Sequence, residues 1–156
     1  MFSKNIKELF TSLKGEIPDI EISGISLDSQ KIRPGNMFVA LSGKKFDGRN
    51  YINDVISKGA SVVVSEKEIS NCFNIPIIVI PNIKKKLSYI ASIFFNDPGK
   101  KMKITGITGT NGKTSICYHL TFLLDKLKRK TAMIGTLGYG RINDLSLHSL
   151  TTPSTF

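Results

Sequence analysis

The sequence has no apolar run near the roughly 20 residues that a membrane-spanning helix requires. Residues 1–15 also lack the apolar core and small-residue cleavage site of a signal peptide. The two cysteines, Cys72 and Cys117, lack CxxC spacing, so neither a disulfide framework nor a zinc site is expected. The two histidines, His119 and His148, have no partner at metal-site or triad spacing and receive no role. We therefore predict a cytoplasmic protein without membrane insertion.

Acidic residues are scarce, because 12 Asp and Glu stand against 22 Lys and Arg and leave a formal charge of +10. Such a charge can indicate nucleic-acid binding, since Lys and Arg neutralise phosphates. Here the basic residues are spread along the chain, and the longest run is Lys84–Lys86. No aromatic residues alternate with them as in RNA-binding sheets. We expect no nucleic-acid partner, and interpret the charge as a lysine-rich surface that also attracts anionic nucleotides.

Helix and strand patterns alternate through residues 1–98. Helically spaced apolar residues predict three helices, which contain Ile6–Leu13, Tyr51–Ile56 and Ile83–Phe94. Apolar or alternating runs predict strands within Ile20–Leu27, Met37–Leu41, Val62–Val64 and Ile77–Ile80. The turn residues Asn96–Gly99 then break the pattern. We predict one small α/β domain over 1–98 and the start of a second over 99–156.

Residues 99–156 have the pattern of a βαβ unit. A strand over Met102–Thr108, a tight loop over Gly109–Gly112, a helix over Thr114–Lys130 and a strand over Ala132–Ile134 follow one another. This order predicts a right-handed crossover and a parallel, Rossmann-like sheet. A parallel sheet needs helices on both faces, which one such unit cannot supply, so we expect a piece of a longer protein.

The strongest motif is the heptapeptide TGTNGKT, Thr108–Thr114, between the predicted strand and helix. In a phosphate-binding loop, glycines let successive amides point at anionic oxygens, and the helix N-terminus adds its dipole. Lys113 would reach the β- and γ-phosphates of ATP, and the Thr114 hydroxyl would ligate Mg²⁺. The strict pattern GxxxxGK[ST] would place glycine at Ile107, between Gly106 and Gly109. The alternative is an Asn-Gly turn followed by an incidental Lys-Thr.

This form of the loop resembles that of the Mur ligases and their relatives, the folylpolyglutamate and cyanophycin synthetases. These enzymes join an activated carboxylate to an amine. The resemblance implies ATP and Mg²⁺ as cofactors, and phosphate binding by Thr108, Gly109, Thr110, Asn111, Gly112, Lys113 and Thr114. It also implies that Lys113 and Thr114 are the catalytic residues and that Thr114 is the Mg²⁺ ligand.

Residues 27–49 resemble the N-terminal UDP-binding signature of two Mur ligases, the tripeptide-forming one and the ligase that acts after it. Gln30 stands where that signature usually has arginine. The resemblance implies that Leu27 and Ser29 contact the uridine nucleotide. It also implies that the uracil and diphosphate side is lined by Lys44, Lys45 and Phe46. Without it, Ser29 could be a turn residue, Asp47-Gly48 a hairpin and the lysines solvated surface.

Two segments after the loop, Ile134–Gly138 and Thr151–Pro153, resemble the region of the tripeptide-forming branch that closes over the sugar-peptide substrate. Thr151 and Thr152 are thereby implied as substrate-binding residues. Leu150 precedes them, where many members have asparagine. These features, together with Thr110 where the later-acting ligase usually has serine, favour the tripeptide-forming branch.

The resemblance covers the chain but only about the first third of a full-length enzyme. It implies an ATP-dependent ligase, acting as a monomer, that adds meso-diaminopimelate or L-lysine to UDP-N-acetylmuramoyl-L-alanyl-D-glutamate through an acyl phosphate. The carbamylated lysine and the acidic Mg²⁺ ligand would lie beyond Phe156, so we predict an isolated chain without ligase activity. The alternatives are the ligase that adds D-alanyl-D-alanine, and a nucleotide-binding remnant without chemistry.

Overall fold

The computed structural model describes residues 3–11, 17–43, 47–69 and 73–147. They belong to two compact units, the first extending to Met102 and the second beginning at Lys103. This division falls a few residues after the Asn96–Gly99 turn. The functional assignment of the two predicted domains, 1–98 and 99–156, remains a prediction.

The first unit is built on a four-stranded parallel sheet. Its strands follow one another in space as they do in sequence: β3 (Gly24–Ser26), β4 (Asn36–Ala40), β5 (Val62–Ser65) and β6 (Ile77–Val79). Phe38 pairs with Ser26 on one side and with Val63 on the other. Two shorter strands, β1 (Lys4–Asn5) and β2 (Glu21–Ile22), form a separate antiparallel pair. The prediction of an α/β fold with a parallel sheet is confirmed.

Both faces of this sheet are buried, as its continuous apolar runs predict. On one face Met37, Val39 and Val64 pack in a cluster with side chains of α1 (Ile6–Leu9) and α3 (Ile83–Phe94). On the other face Phe38 and Val63 pack with side chains of α2 (Ile52–Ser57). Alternate residues of one strand therefore belong to different clusters, because successive side chains of a strand point to opposite faces.

The second unit contains α4 (Lys113–Lys126) and a three-stranded antiparallel sheet of β7 (Met133–Gly135), β8 (Gly138–Arg141) and β9 (Asp144–Ser146). The two hairpins of this sheet were not predicted, since its strands are short and contain three glycines, at 135, 138 and 140. Met133 is buried, whereas most apolar side chains of α4 are exposed. The helix and the β7 segment were predicted, but the pairing of β7 was not.

The predicted parallel βαβ unit is wrong in detail. Residues 103–108 form no strand, and β7 pairs antiparallel with β8. Ile104 is 75% exposed, and Ile107 is only half-buried. A parallel strand needs hydrogen-bonding neighbours and cover on both faces, and no described strand lies beside this segment. The prediction of a strand over Met102–Thr108 is therefore wrong, because the neighbours that such a strand would pair with are not among the described residues.

Candidate functional site

The motif Thr108–Thr114 forms a loop that turns directly into the N-terminus of α4. Gly109 has φ +148° and Gly112 has φ +77°, which are conformations that favour glycine over residues with a side chain. Gly112 caps the helix, and its carbonyl oxygen accepts a hydrogen bond from the Ile116 amide at 2.9 Å. The glycines therefore adopt the backbone conformation that leads the chain into the helix. Gly112 has no side chain that could accept hydrogen bonds from the first helical amides.

Lys113 folds back over this loop. Its ammonium group donates hydrogen bonds to the carbonyl oxygens of Gly109 and of Thr110, the latter at 3.2 Å. The side chain is exposed, as are Thr108, Thr110 and Asn111, while Thr114 is half-buried. The positive charge thus lies at the mouth of the loop, beside the positive end of the α4 dipole. An anion bound there would meet both.

An open hollow of about 320 Å³ lies in the first unit. Its lining combines the ends of β3 and β4 with the segment before α2: Leu27, Asp28, Ser29, Gln30, Phe38, Leu41, Gly48 and Tyr51. Ligands of open parallel α/β sheets bind at this carboxyl edge of the strands. The structure therefore brings together Leu27 and Ser29, the two described residues implied as uridine contacts.

A short 3₁₀ turn, Ser29–Lys31, forms one wall of the hollow. The Asp28 carboxylate caps it by accepting a hydrogen bond from the Gln30 amide at 2.9 Å. The buried Ser26 hydroxyl accepts from the Asp28 amide at 3.0 Å and donates to the Asp28 carbonyl oxygen at 2.9 Å. Asp28 and Ser29 are thus fixed by local hydrogen bonds, which are typical of Asp and Ser in turns.

Gly48 closes the hollow beside β4 by direct backbone contact. Its amide donates to the Leu41 carbonyl oxygen at 2.8 Å, and a Cβ at this position would lie 3.0 Å from the Ala40 Cα. Next to it, Asp47 caps a second 3₁₀ turn and forms a bidentate ion pair with Arg49. The side-chain hydrogen bond from Arg49 lowers the pKa of Asp47. Asp47-Gly48-Arg49 thus forms the entry to this 3₁₀ turn, and Asp47 also pairs with Ser42 in an isolated antiparallel bridge.

Five residues of the predicted site lie outside the described residues: Lys44, Lys45, Phe46, Thr151 and Thr152. Their roles stay predictions. Sequence reasoning missed Leu41 and Tyr51 as lining residues of the hollow. The position of Leu41 immediately after the strand β4 could have indicated it, because the carboxyl ends of neighbouring parallel strands share one edge.

Two further findings bear on cofactors and on the membrane. Among residues 3–11, 17–43, 47–69 and 73–147, no three His, Cys, Asp or Glu side chains come together as a metal site. Across the same described ranges, every helix is too short or too polar to span a bilayer.

Comparison with known proteins identifies the family. A sequence model described as the Mur ligase family catalytic domain matches residues 21–94. UDP-N-acetylmuramoyl-L-alanyl-D-glutamate–2,6-diaminopimelate ligase of Caldanaerobacter subterraneus subsp. tengcongensis is 37% identical over 133 residues, or 83% of this chain and 28% of that protein. The chain belongs to the Mur ligase family. A second Mur ligase, UDP-N-acetylmuramyl-tripeptide synthetase of Borrelia garinii subsp. bavariensis, is 37% identical over 134 residues, 84% of this chain and 26% of that protein.

Solved Mur ligase structures share the fold. The D-alanyl-D-alanyl-adding ligase of Acinetobacter baumannii superposes with a TM-score of 0.63 and 26% identity, over 80% of this chain and 28% of that one. The MurF ligase of Thermotoga maritima, solved in complex with ADP, gives a TM-score of 0.51 and 29% identity over 65% and 23% of the two chains. The chain spans less than a third of the length of these relatives. The family match over 21–94 covers the hollow and stops before the loop.

Proposed function

We propose that this chain carries the UDP-binding hollow and the ATP phosphate-binding loop of a cytoplasmic Mur ligase that adds the third amino acid of the peptidoglycan stem peptide. The substrate would be UDP-N-acetylmuramoyl-L-alanyl-D-glutamate, and the amine would be meso-diaminopimelate or L-lysine. The observation that carries the proposal is the loop of TGTNGKT sequence entering α4 through left-handed glycines.

The residues of this loop fit the triphosphate of ATP. The amides between Gly109 and Gly112 and the first turn of α4 offer donors to phosphate oxygens. The Lys113 ammonium would exchange its present carbonyl acceptors for phosphate oxygens, which are charged and therefore stronger acceptors. The half-buried Thr114 hydroxyl would ligate Mg²⁺. ATP, when bound, would supply the phosphoryl group that activates the substrate carboxylate.

The hollow of the first unit fits the nucleoside end of a UDP-linked substrate. Leu27 and Tyr51 offer apolar surface for the base, while Asp28 and Ser29 offer polar groups beside it. Leu27 and Ser29 are the residues we assign to uridine contact. Lys44, Lys45 and Phe46 are assigned to the uracil and diphosphate side, and Thr151 and Thr152 to the sugar-peptide.

The names of the curated relatives favour the diamino acid as the amine. The Caldanaerobacter and Borrelia relatives are a 2,6-diaminopimelate ligase and a tripeptide synthetase. The alternative is addition of D-alanyl-D-alanine, which is favoured by the Acinetobacter structure named for that activity. In a protein extended to the length of the relatives, turnover with diaminopimelate or lysine would support our proposal. Turnover with D-alanyl-D-alanine only would establish the alternative.

The loop assignment is tested by ATP binding to the 156-residue chain in the presence of Mg²⁺. Lys113→Met keeps the aliphatic stem and removes the charge, so the Kd for ATP should rise about tenfold or more, as expected for a charge-assisted hydrogen bond. Lys130→Met is the matched control, since it removes an exposed charge beyond the other end of α4. Equal ATP affinities of wild type and Lys113→Met would refute the phosphate-binding loop. The same chain should form no amide with ATP, dipeptide substrate and diamino acid.

A further inference from the structure

The wall of the hollow formed by Ser29–Lys31 has little packing of its own. It belongs to the connection between β3 and β4, residues 27–35, all of which the structure describes. Only Ile32 is buried among them. A loop with so few buried side chains is held in one conformation mainly by its hydrogen bonds. The positions of Ser29 and Asp28 at the hollow therefore depend on what this connection bonds to.

Lys58, at the C-terminal end of α2, makes the long-range side-chain bond to this turn. Its ammonium group donates to the Ser29 carbonyl oxygen at 3.0 Å and to the Asp54 carboxylate at 2.7 Å. The bond to Ser29 joins residues that are 29 positions apart in sequence. The Asp54 carboxylate, one helical turn earlier, orients the ammonium group toward the turn. The side chain of Lys58 is 36% exposed, so solvent screens this pair only in part.

The chain that follows Lys58 holds the far end of the same connection. The Gly59 carbonyl oxygen accepts from the Gly35 amide at 2.9 Å, and the Ser61 amide donates to the Asn36 carbonyl oxygen at 2.9 Å. Gly59 has φ +86°, and a Cβ there would lie 3.1 Å from the Pro34 Cα. These backbone bonds fix residues 34–36. At the other end, the Ser26 hydroxyl holds Asp28 from the adjoining strand, and Lys58 bonds the Ser29 carbonyl oxygen from α2.

We propose that Lys58 is a positioning residue for UDP binding, which holds the Ser29–Lys31 turn against the C-terminal end of α2 so that Ser29 and Asp28 face the hollow. The inference rests on the proposed function, because it takes UDP as the ligand of the hollow. Lys58 does not line the hollow and acts through the Ser29 backbone.

The first test is calorimetric titration of the 156-residue chain with UDP. Lys58→Met, which keeps the apolar stem, should raise the Kd about threefold to tenfold, as loss of a partly exposed charged hydrogen bond allows. Lys58→Arg should restore most of the affinity, because a guanidinium can donate to both acceptors. Lys31→Met, on the same turn, controls for the loss of a positive charge. Ser57→Ala controls for change at the same end of α2, where Ser57 bonds the Asp54 carbonyl oxygen.

The second test needs no ligand. Amide hydrogen exchange at Gln30 and Lys31 should be faster in Lys58→Met than in wild type, with the thermal midpoint nearly unchanged. Unchanged exchange and unchanged UDP affinity in Lys58→Met would overturn the inference, as would an equal loss of affinity in Lys31→Met. Failure of the wild-type chain to bind UDP would instead overturn the proposed function of the hollow, and the role of the turn with it.

Discussion

The described residues up to Met102 bury most of their apolar side chains on both faces of a parallel sheet, whereas the described residues 103–147 leave most of theirs in solvent. In β5, Val62, Val63 and Val64 are each 0% exposed. Leu123 on α4 is 58% exposed, and Leu127, the C-cap of this helix, is 70% exposed. The two units therefore contain similar apolar side chains, but among the described residues only those of the first unit form layers that cover them.

This difference shows that the sequence pattern predicts the conformation of a segment more directly than its burial. A strand run such as Val62–Val64 becomes a buried strand because β4 and β6 lie on either side of it and helices cover it. The helically spaced apolar residues of α4 form a helix as well, since the spacing and the Gly112 start are local properties. Their burial is a property of what packs against them, which the pattern does not contain.

The largest expected effect comes from matched phenylalanine truncations on one helix of each unit. Phe94 on α3 is 2% exposed and packs in the core, so Phe94→Ala should lower the free energy of unfolding by about 3–5 kcal/mol. Phe122 on α4 is 40% exposed and lies under the Lys126 ammonium, 5.2 Å from its ring centroid. Phe122→Ala should cost about 1 kcal/mol or less. Denaturant unfolding followed by circular dichroism measures both, and equal losses would contradict the contrast between the units.

A smaller effect is expected from adding a methyl group at a glycine of each unit. Gly59→Ala should lower the free energy of unfolding by about 1–3 kcal/mol, because φ is +86° and the new Cβ would press on Pro34. A Cβ at Gly106 would meet nothing within 4 Å, so Gly106→Ala should change stability by about 0.5 kcal/mol or less. The same unfolding curves provide the measurement. A destabilisation by Gly106→Ala as large as that by Gly59→Ala would show that the second unit is as tightly packed as the first.

The elements of the first unit could be predicted because their signals are local and mutually consistent. The apolar runs in β4, β5 and β6 and the helical spacing of α3 each predicted an element within a few residues of its bounds. The stop of α2 at Gly59 followed from glycine's tolerance of positive φ. The hollow needed one more step, since Leu27 and Leu41 meet only once the parallel strand order is known.

In the second unit, the same reasoning did not predict the strands correctly. Met102–Thr108 has the composition of a strand, but strands exist only in pairs, and pairing depends on distant residues. The strands β8 and β9 were not predicted, because glycines such as Gly138 and Gly140 are typical of turns. In the structure both glycines adopt positive φ within a sheet. The loop itself was predicted from Gly109, Gly112 and Lys113, since its geometry depends on adjacent residues only. The folding of Lys113 onto loop carbonyls could not be read from the sequence.

The smallest expected effect concerns acid stability beside the hollow. Hydrogen bonds from Arg49 lower the pKa of Asp47, so the folded protein takes up this proton less readily than the unfolded chain. Its stabilising contribution is thus complete above the unfolded pKa of about 4 and is lost as pH falls through the depressed folded value. Asp47→Asn keeps an oxygen for the cap but removes the ion pair, so its thermal midpoint at pH 7 should lie about 2 °C below wild type.

The gap between Asp47→Asn and wild type should stay constant from pH 7 to about 4 and narrow as the pH falls further toward 3, because wild type then begins to lose the charge that the variant lacks. Calorimetric scans at several pH values measure it. Arg49→Met provides the matched control, since it removes the other partner and should give a similar pH dependence. A gap that stays constant over the whole of this range would mean that the ion pair is too exposed to stabilise the turn, and that the backbone contact of Gly48 with Leu41 fixes this wall of the hollow without it.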